Sequence, residues 1–210
     1  MPFTYCERTG PGLCDEPLNA VTNAAFLVAA WAVWRLARRR CALDAGIRVL
    51  IGLLIAIGIG STFYHMFANE WSRWMDVVPI LLFQLFCTWL YAREVMGAGR
   101  FRAAGVLAAF FGVGLLTSLL PHDALNGSLQ YAPAWLFLLL LGAYHCAAGK
   151  PERWLMLAAV GTFTLSLFFR TIDIRMVGIF PTGTHFLWHI LNGVTLYLTA
   201  RAVIVGRKAG

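Results

Sequence analysis

Long apolar runs separated by short polar connections make up almost the whole chain. An apolar helix of about 20 residues crosses the hydrocarbon core of a bilayer. Seven stretches come close to that length: Leu18–Leu36, Ile47–His65, Val77–Tyr91, Ala103–Leu120, Tyr131–Ala148, Trp154–Phe169 and His185–Val205. The third and sixth are the short ones. None has the alternation of a barrel strand, and only helices or closed barrels satisfy their backbone in lipid. The pattern predicts an all-α integral membrane bundle of seven transmembrane helices, a single domain over residues 1–210. Residues 1–17 form a short polar segment ahead of it, with Glu7, Asp15 and Glu16. They lack the basic start and apolar run of a signal peptide, so the first span is expected to direct insertion itself.

Composition agrees. The chain is 60% hydrophobic and 13% charged, whereas a soluble domain carries about 25% charged residues. The net charge of +7 does not point to nucleic acid, because the basic residues sit in short loops between spans. Thirteen Lys and Arg fall in the loops on one side and four on the other. That bias predicts a cytoplasmic C-terminus and an N-terminus outside. Trp31, Trp34, Trp71, Trp74, Trp89 and Trp154 lie near span ends, as interfacial anchors do. The five cysteines form no CxxC pair. Cys87 and Cys146 read as small buried hydrophobes. Cys6 and Cys14 can pair if their segment faces an oxidising compartment.

With this topology, polar residues collect at one level near the outer face. The segment GIGSTFYHMFANEWSRWMD places Ser61 and His65 in the last turns of the second span. Asp76 begins the third span, after a short loop over Met66–Met75. The seventh span opens with HFLWH, so His185 and His189 share a helix face one turn apart. Three histidines from two helices leave a fourth coordination position open, the arrangement of a catalytic zinc site. HxxxH alone is a weak motif, without the glutamate of HExxH proteases. Ionisable groups at membrane depth are costly, however, and tend to face a functional interior.

The chemistry suggests roles. Asp76 is the candidate general base for a zinc-bound water; its alternatives are to orient that water or a ligand histidine, or simply to face solvent. Ser61 can donate to an oxyanion, act as a nucleophile, or back-bond to its own helix. Arg170 and Asp173, three apart, are expected to pair at the end of span six. His122, Asp123 and His145 read as loop or core residues. Gln84, Asn23 and Asn192 read as interhelical hydrogen-bonding groups, and the glycines of GLLIAIGIG as points of close helix approach.

These segments resemble the alkaline ceramidase family. GIGSTFYHMFANEWSRWMDVVPI is similar to its S-x-x-x-H … D-x-x-P element, and GTHFLWHILNG to its closing H-x-x-x-H helix. EPLNAVTNAAF and FFRTID resemble its first-helix start and sixth-helix end. The wider superfamily includes the seven-helix adiponectin and progestin receptors. The resemblance implies zinc on His65, His185 and His189, with Ser61 and Asp76 assisting. It implies hydrolysis of a ceramide amide, as part of sphingolipid metabolism. It also implies calcium at an N-terminal acidic cluster, here Glu7, Glu16 and Asn19. Thr4 and Thr9 stand where that pattern has Asp and Asn. The compact length is similar to the bacterial members, which implies the inner membrane with the site towards its extracytoplasmic side.

The sequence therefore predicts a zinc-dependent membrane amidohydrolase acting on a laterally diffusing lipid. A seven-helix receptor or sensor with a structural zinc, and a zinc hydrolase of another lipid bond such as an ester, are the alternatives.

Overall fold

The computed structural model describes residues 5–10, 12–121 and 123–207. The described residues form helices and turns, with no strand. Helices α1 (Pro17–Thr22) and α2 (Ala24–Arg39) follow one another across Asn23, giving one run of 23 residues. Asp44 starts α3 (Ala45–Phe67): its Oδ1 accepts the Ile47 N–H at 2.9 Å, satisfying one of the free donors of a helix start. The remaining helices are α4 (Glu70–Leu90), α5 (Arg100–Ser118), α6 (Ala132–Ala147), α7 (Leu155–Ile172) and α8 (His185–Gly206). A π turn extends α4 to Val95, and a 3-10 turn extends α7 to Met176.

Six segments are long and apolar enough to cross a membrane: Pro17–Arg39, Ala45–Phe67, Glu70–Val95, Arg100–Ser118, Leu155–Met176 and His185–Gly206. The apolar helix α6 matches the remaining expected span, but at 16 residues it falls short of that length.

The expected loop over Met66–Met75 is corrected. The chain turns within two residues, Ala68 in the left-handed region at φ 44° and then Asn69. Asn69 and Ser72 cap one another: Asn69 Oδ1 accepts the Ser72 N–H at 3.0 Å, and the Asn69 N–H donates to Ser72 Oγ at 3.2 Å. This cap starts α4 at Glu70, although Glu70, Ser72 and Arg73 read as loop by polarity. Asp76 thus lies in the second turn of α4 rather than at its beginning.

Helices in lipid gain little from hydrophobic exclusion and associate through close packing. The tightest approach joins α3 to α4. A Cβ on Gly60 would collide with the carbonyl of Met75. That carbonyl cannot receive the usual N–H from four residues on, because Pro79 has none. The crossing sets Ser61 and Asp76, each one residue further along, opposite each other.

The two ends of the bundle differ. One end holds the apolar core, with Val33, Ile47, Leu50, Tyr91, Val95 and Val203 fully or almost fully buried. Ion pairs close it: Glu152–Arg201 at 2.6 Å, Asp44–Arg207 at 2.6 Å and Glu94–Arg207 at 2.5 Å. His145 is a buried core residue, as expected, between Tyr91 Oη at 2.8 Å and the Pro151 carbonyl at 3.0 Å. The opposite end holds the polar site. Helix α5 lies outermost, burying only Ala103 and Phe110 and exposing Phe101, Phe111, Leu115 and Leu116.

Candidate metal centre

His65 comes from the last turn of α3, and His185 and His189 from the first turns of α8. All three are about 1% exposed. Each offers a ring nitrogen, and the three nitrogens lie within 4.8 Å of one another, close enough to hold one metal ion. His65 Nε2 and His189 Nε2 are 3.1 Å apart.

The partners of the outer nitrogens bear on what the inner ones present. Thr22 Oγ1 spends its single proton on the carbonyls of Leu18 at 2.8 Å and Asn19 at 3.1 Å. Its 3.0 Å contact with His189 must then be donated by Nδ1–H. His65 Nδ1 lies 2.5 Å from Glu16 Oε2. Burial opposes ionisation of Glu16, but hydrogen bonds from His65, Asn19 and Arg8 outweigh it and hold its pKa below the ordinary glutamate range. An ionised carboxylate only accepts, so His65 Nδ1 carries the proton. With both rings neutral, the two Nε2 atoms turn lone pairs towards each other, an arrangement that a shared cation relieves. A tetrahedral ion with metal–nitrogen distances of about 2.0–2.1 Å spaces its ligand nitrogens roughly 3.3 Å apart. The third ring, His185, has a buried Nδ1 with no hydrogen-bond partner. The donor set fits a divalent metal that favours imidazole nitrogen.

The N-terminal segment roofs this centre. Tyr5 stacks on the His185 ring at 3.8 Å between centroids. Its hydroxyl accepts from Arg170 Nη1 at 3.3 Å. Arg170 also sits over the rings of Tyr131 and Trp188 at 5.4 and 5.3 Å. The expected Arg170–Asp173 pair is a correction. Asp173 instead accepts three backbone N–H groups: Cys6 at 3.0 Å, Thr184 at 2.6 Å and His185 at 2.9 Å. Its carboxylate caps α8 at the positive end of the helix, where negative charge is favoured, and so fixes the first histidine of the cluster. Gly183, at φ 63°, packs so tightly that a Cβ would overlap both Asp173 and Cys6.

Ser61 and Asp76 stand beside the histidines. Ser61 is buried, one turn before His65. Asp76 Oδ1 is buried with no hydrogen-bond partner. Both line a cavity with about 870 Å³ of unfilled space, part of it open to the outside. Asp76, Ile80, Gln84 and Thr88, spaced four apart on one face of α4, form one wall. Trp188, Asn192, Thr195 and Thr199 of α8 form another, and Tyr91 and Met156 lie towards the far end. From Asp76 to Tyr91 the helix rises about 22 Å.

Other expected residues find these places. Asn192 bonds across helices to Ser166 Oγ at 3.0 Å, whereas Asn23 bonds to its own helix at the Asn19 carbonyl. Gln84 faces the cavity. Cys6 and Cys14 are free thiols. Asp123 is exposed; His122 and Thr4 lie outside the described residues. Glu7, Glu16 and Asn19 do come together, but Glu7 accepts the N–H groups of Leu18 at 2.7 Å and Asn19 at 2.8 Å. Glu16 is shared by Arg8, His65 and Asn19. Sequence reasoning missed Thr22, Tyr5 and the tie between Glu16 and His65. No short motif marks them, because each acts through contacts distant in sequence.

No protein-family model matches the chain, and no curated protein matches it.

Proposed function

We propose that the chain is a zinc-dependent hydrolase of the alkaline ceramidase type, cleaving the amide of ceramide or a related N-acyl lipid. One observation carries the reading: three imidazoles converge beside a buried, unpartnered carboxylate oxygen at one end of a long, mostly apolar cavity. His65, His185 and His189 hold the metal. Zinc bound there supplies a Lewis acid that polarises a carbonyl and acidifies water.

The protein's own groups do the rest. Asp76 Oδ1 takes a proton from the attacking water and returns it to the departing amine nitrogen. The Ser61 hydroxyl donates to the carbonyl oxygen as negative charge develops there. A C–O bond forms and the C–N bond breaks. One water is consumed, giving a fatty acid and a long-chain base. The cavity below receives the acyl chain.

In this reading α6 is the seventh span, completed by the 3-10 turn Ser128–Tyr131 that precedes it. An odd count puts the termini on opposite faces. Positive-inside bias supports a cytoplasmic basic end, with the histidines near the extracytoplasmic surface of a bacterial inner membrane in this reading.

Purified protein should contain zinc and hydrolyse amide-linked lipids in preference to ester-linked ones. His185→Ala should lose both metal and turnover. Asp76→Asn should keep the metal and lose turnover by about 100-fold or more. Zinc-loaded protein that hydrolyses no N-acyl lipid, or a fully active Asp76→Asn, removes the reading.

A further inference from the structure

The resemblance behind that proposal also implies calcium in the N-terminal acidic cluster, and the residues present do not fit it. Calcium collects about 6–8 oxygens, carboxylates prominent among them. Both Glu7 oxygens are committed to backbone N–H groups that start α1. Glu16 gives Oε1 to Arg8 Nε, and Oε2 to His65 Nδ1 and Asn19 Nδ2. Thr9 lies where the family pattern has Asn.

A cation is already present. Arg8 Nη2 donates to the His65 carbonyl at 2.8 Å, and Nη1 to the Gly10 carbonyl at 3.3 Å. One guanidinium thus gathers a carboxylate and two main-chain carbonyls, the type of oxygen donor a bound divalent ion would recruit. The pair is well shielded, with the Arg8 side chain 13% exposed and Glu16 2%. Arginine stays protonated throughout the working pH range, and its planar fork can serve several oxygens at once.

We propose that Arg8 is a built-in cation that takes the place of calcium in this chain and acts as a positioning residue for the metal ligand His65. The hold is double: Arg8 grips the His65 main chain directly, and through Glu16 it fixes the ring that presents Nε2. Partners behind a ligand imidazole govern metal affinity as well as ring orientation. The inference needs His65 to bind metal, and does not depend on which bond the protein cleaves.

The test uses purified full-length protein and reads metal retention and melting temperature rather than turnover. Wild type should hold zinc equally against a zinc chelator with or without millimolar calcium, and calcium should not move its melting temperature. Arg8→Ala should release zinc to about tenfold less chelator. In that variant the freed Glu16 Oε1, together with Asn19 Oδ1, which has no hydrogen-bond partner, should bind calcium, raising the melting temperature and restoring zinc retention. Arg8→Lys, which keeps the charge but not the fork, should fall between. A calcium-induced melting shift in wild type overturns the proposal without any variant, as does an Arg8→Ala protein that holds zinc like wild type.

Discussion

At the scale of single residues, the candidate metal centre is shaped by groups outside the three histidines. Thr22 is the clearest case, because its hydroxyl fixes which nitrogen of His189 carries the proton. Thr22→Val keeps the shape and leaves a buried N–H without an acceptor. It should weaken zinc binding by about tenfold, with Thr22→Ser restoring it, measured by competition with a chromogenic chelator. The three histidines of the candidate site were legible in the sequence. Helical periodicity puts His185 and His189 on one face, and Ser61 and His65 on another, whatever the tertiary packing. Thr22 and Tyr5 were not legible, since their value comes from neighbours more than a hundred residues away. Sequence spacing suggested a partner for Asp173, but the wrong one: its proximity to Arg170 lost to three backbone donors, two at the start of α8 and one at Cys6.

At the scale of elements, the α3–α4 crossing sets the distance between Ser61 and Asp76. Gly60→Ala would drive a methyl group into the Met75 carbonyl and push the helices apart. It should lower stability by about 1–3 kcal/mol and reduce turnover while zinc is retained. Gly52→Ala on the same helix meets nothing within 4 Å and should change neither. Melting curves and metal content of the two variants distinguish a local effect from general weakening. The seven apolar stretches were readable from hydropathy and length, and each coincides with a helix. The start of α4 was not, because a capping box outweighed the local polarity of Glu70 and Arg73.

At the scale of the whole molecule, the site and the ion-pair network occupy opposite ends, and they answer to pH separately. Glu152 is held below the ordinary glutamate range chiefly by its hydrogen bonds from Arg201, against burial. The folded form therefore binds fewer protons than the unfolded form between those two pKa values. The clamp contributes fully above the ordinary glutamate pKa and fades as pH falls through the lowered one. Melting temperatures of wild type and Glu152→Gln should differ modestly at neutral pH, since the pair is part-exposed. They should converge in acid; a constant gap across that range would contradict the assignment. The arrangement of the polar end has a further effect on biosynthesis. Two of the three imidazoles ride on α8, more than a hundred residues after His65 on α3. The α3 and α8 segments must meet before the three-histidine cluster exists, so a metal held there joins the chain only after α8 has been made. A chain cut short before His185 can insert in the bilayer, but it carries one histidine of the three.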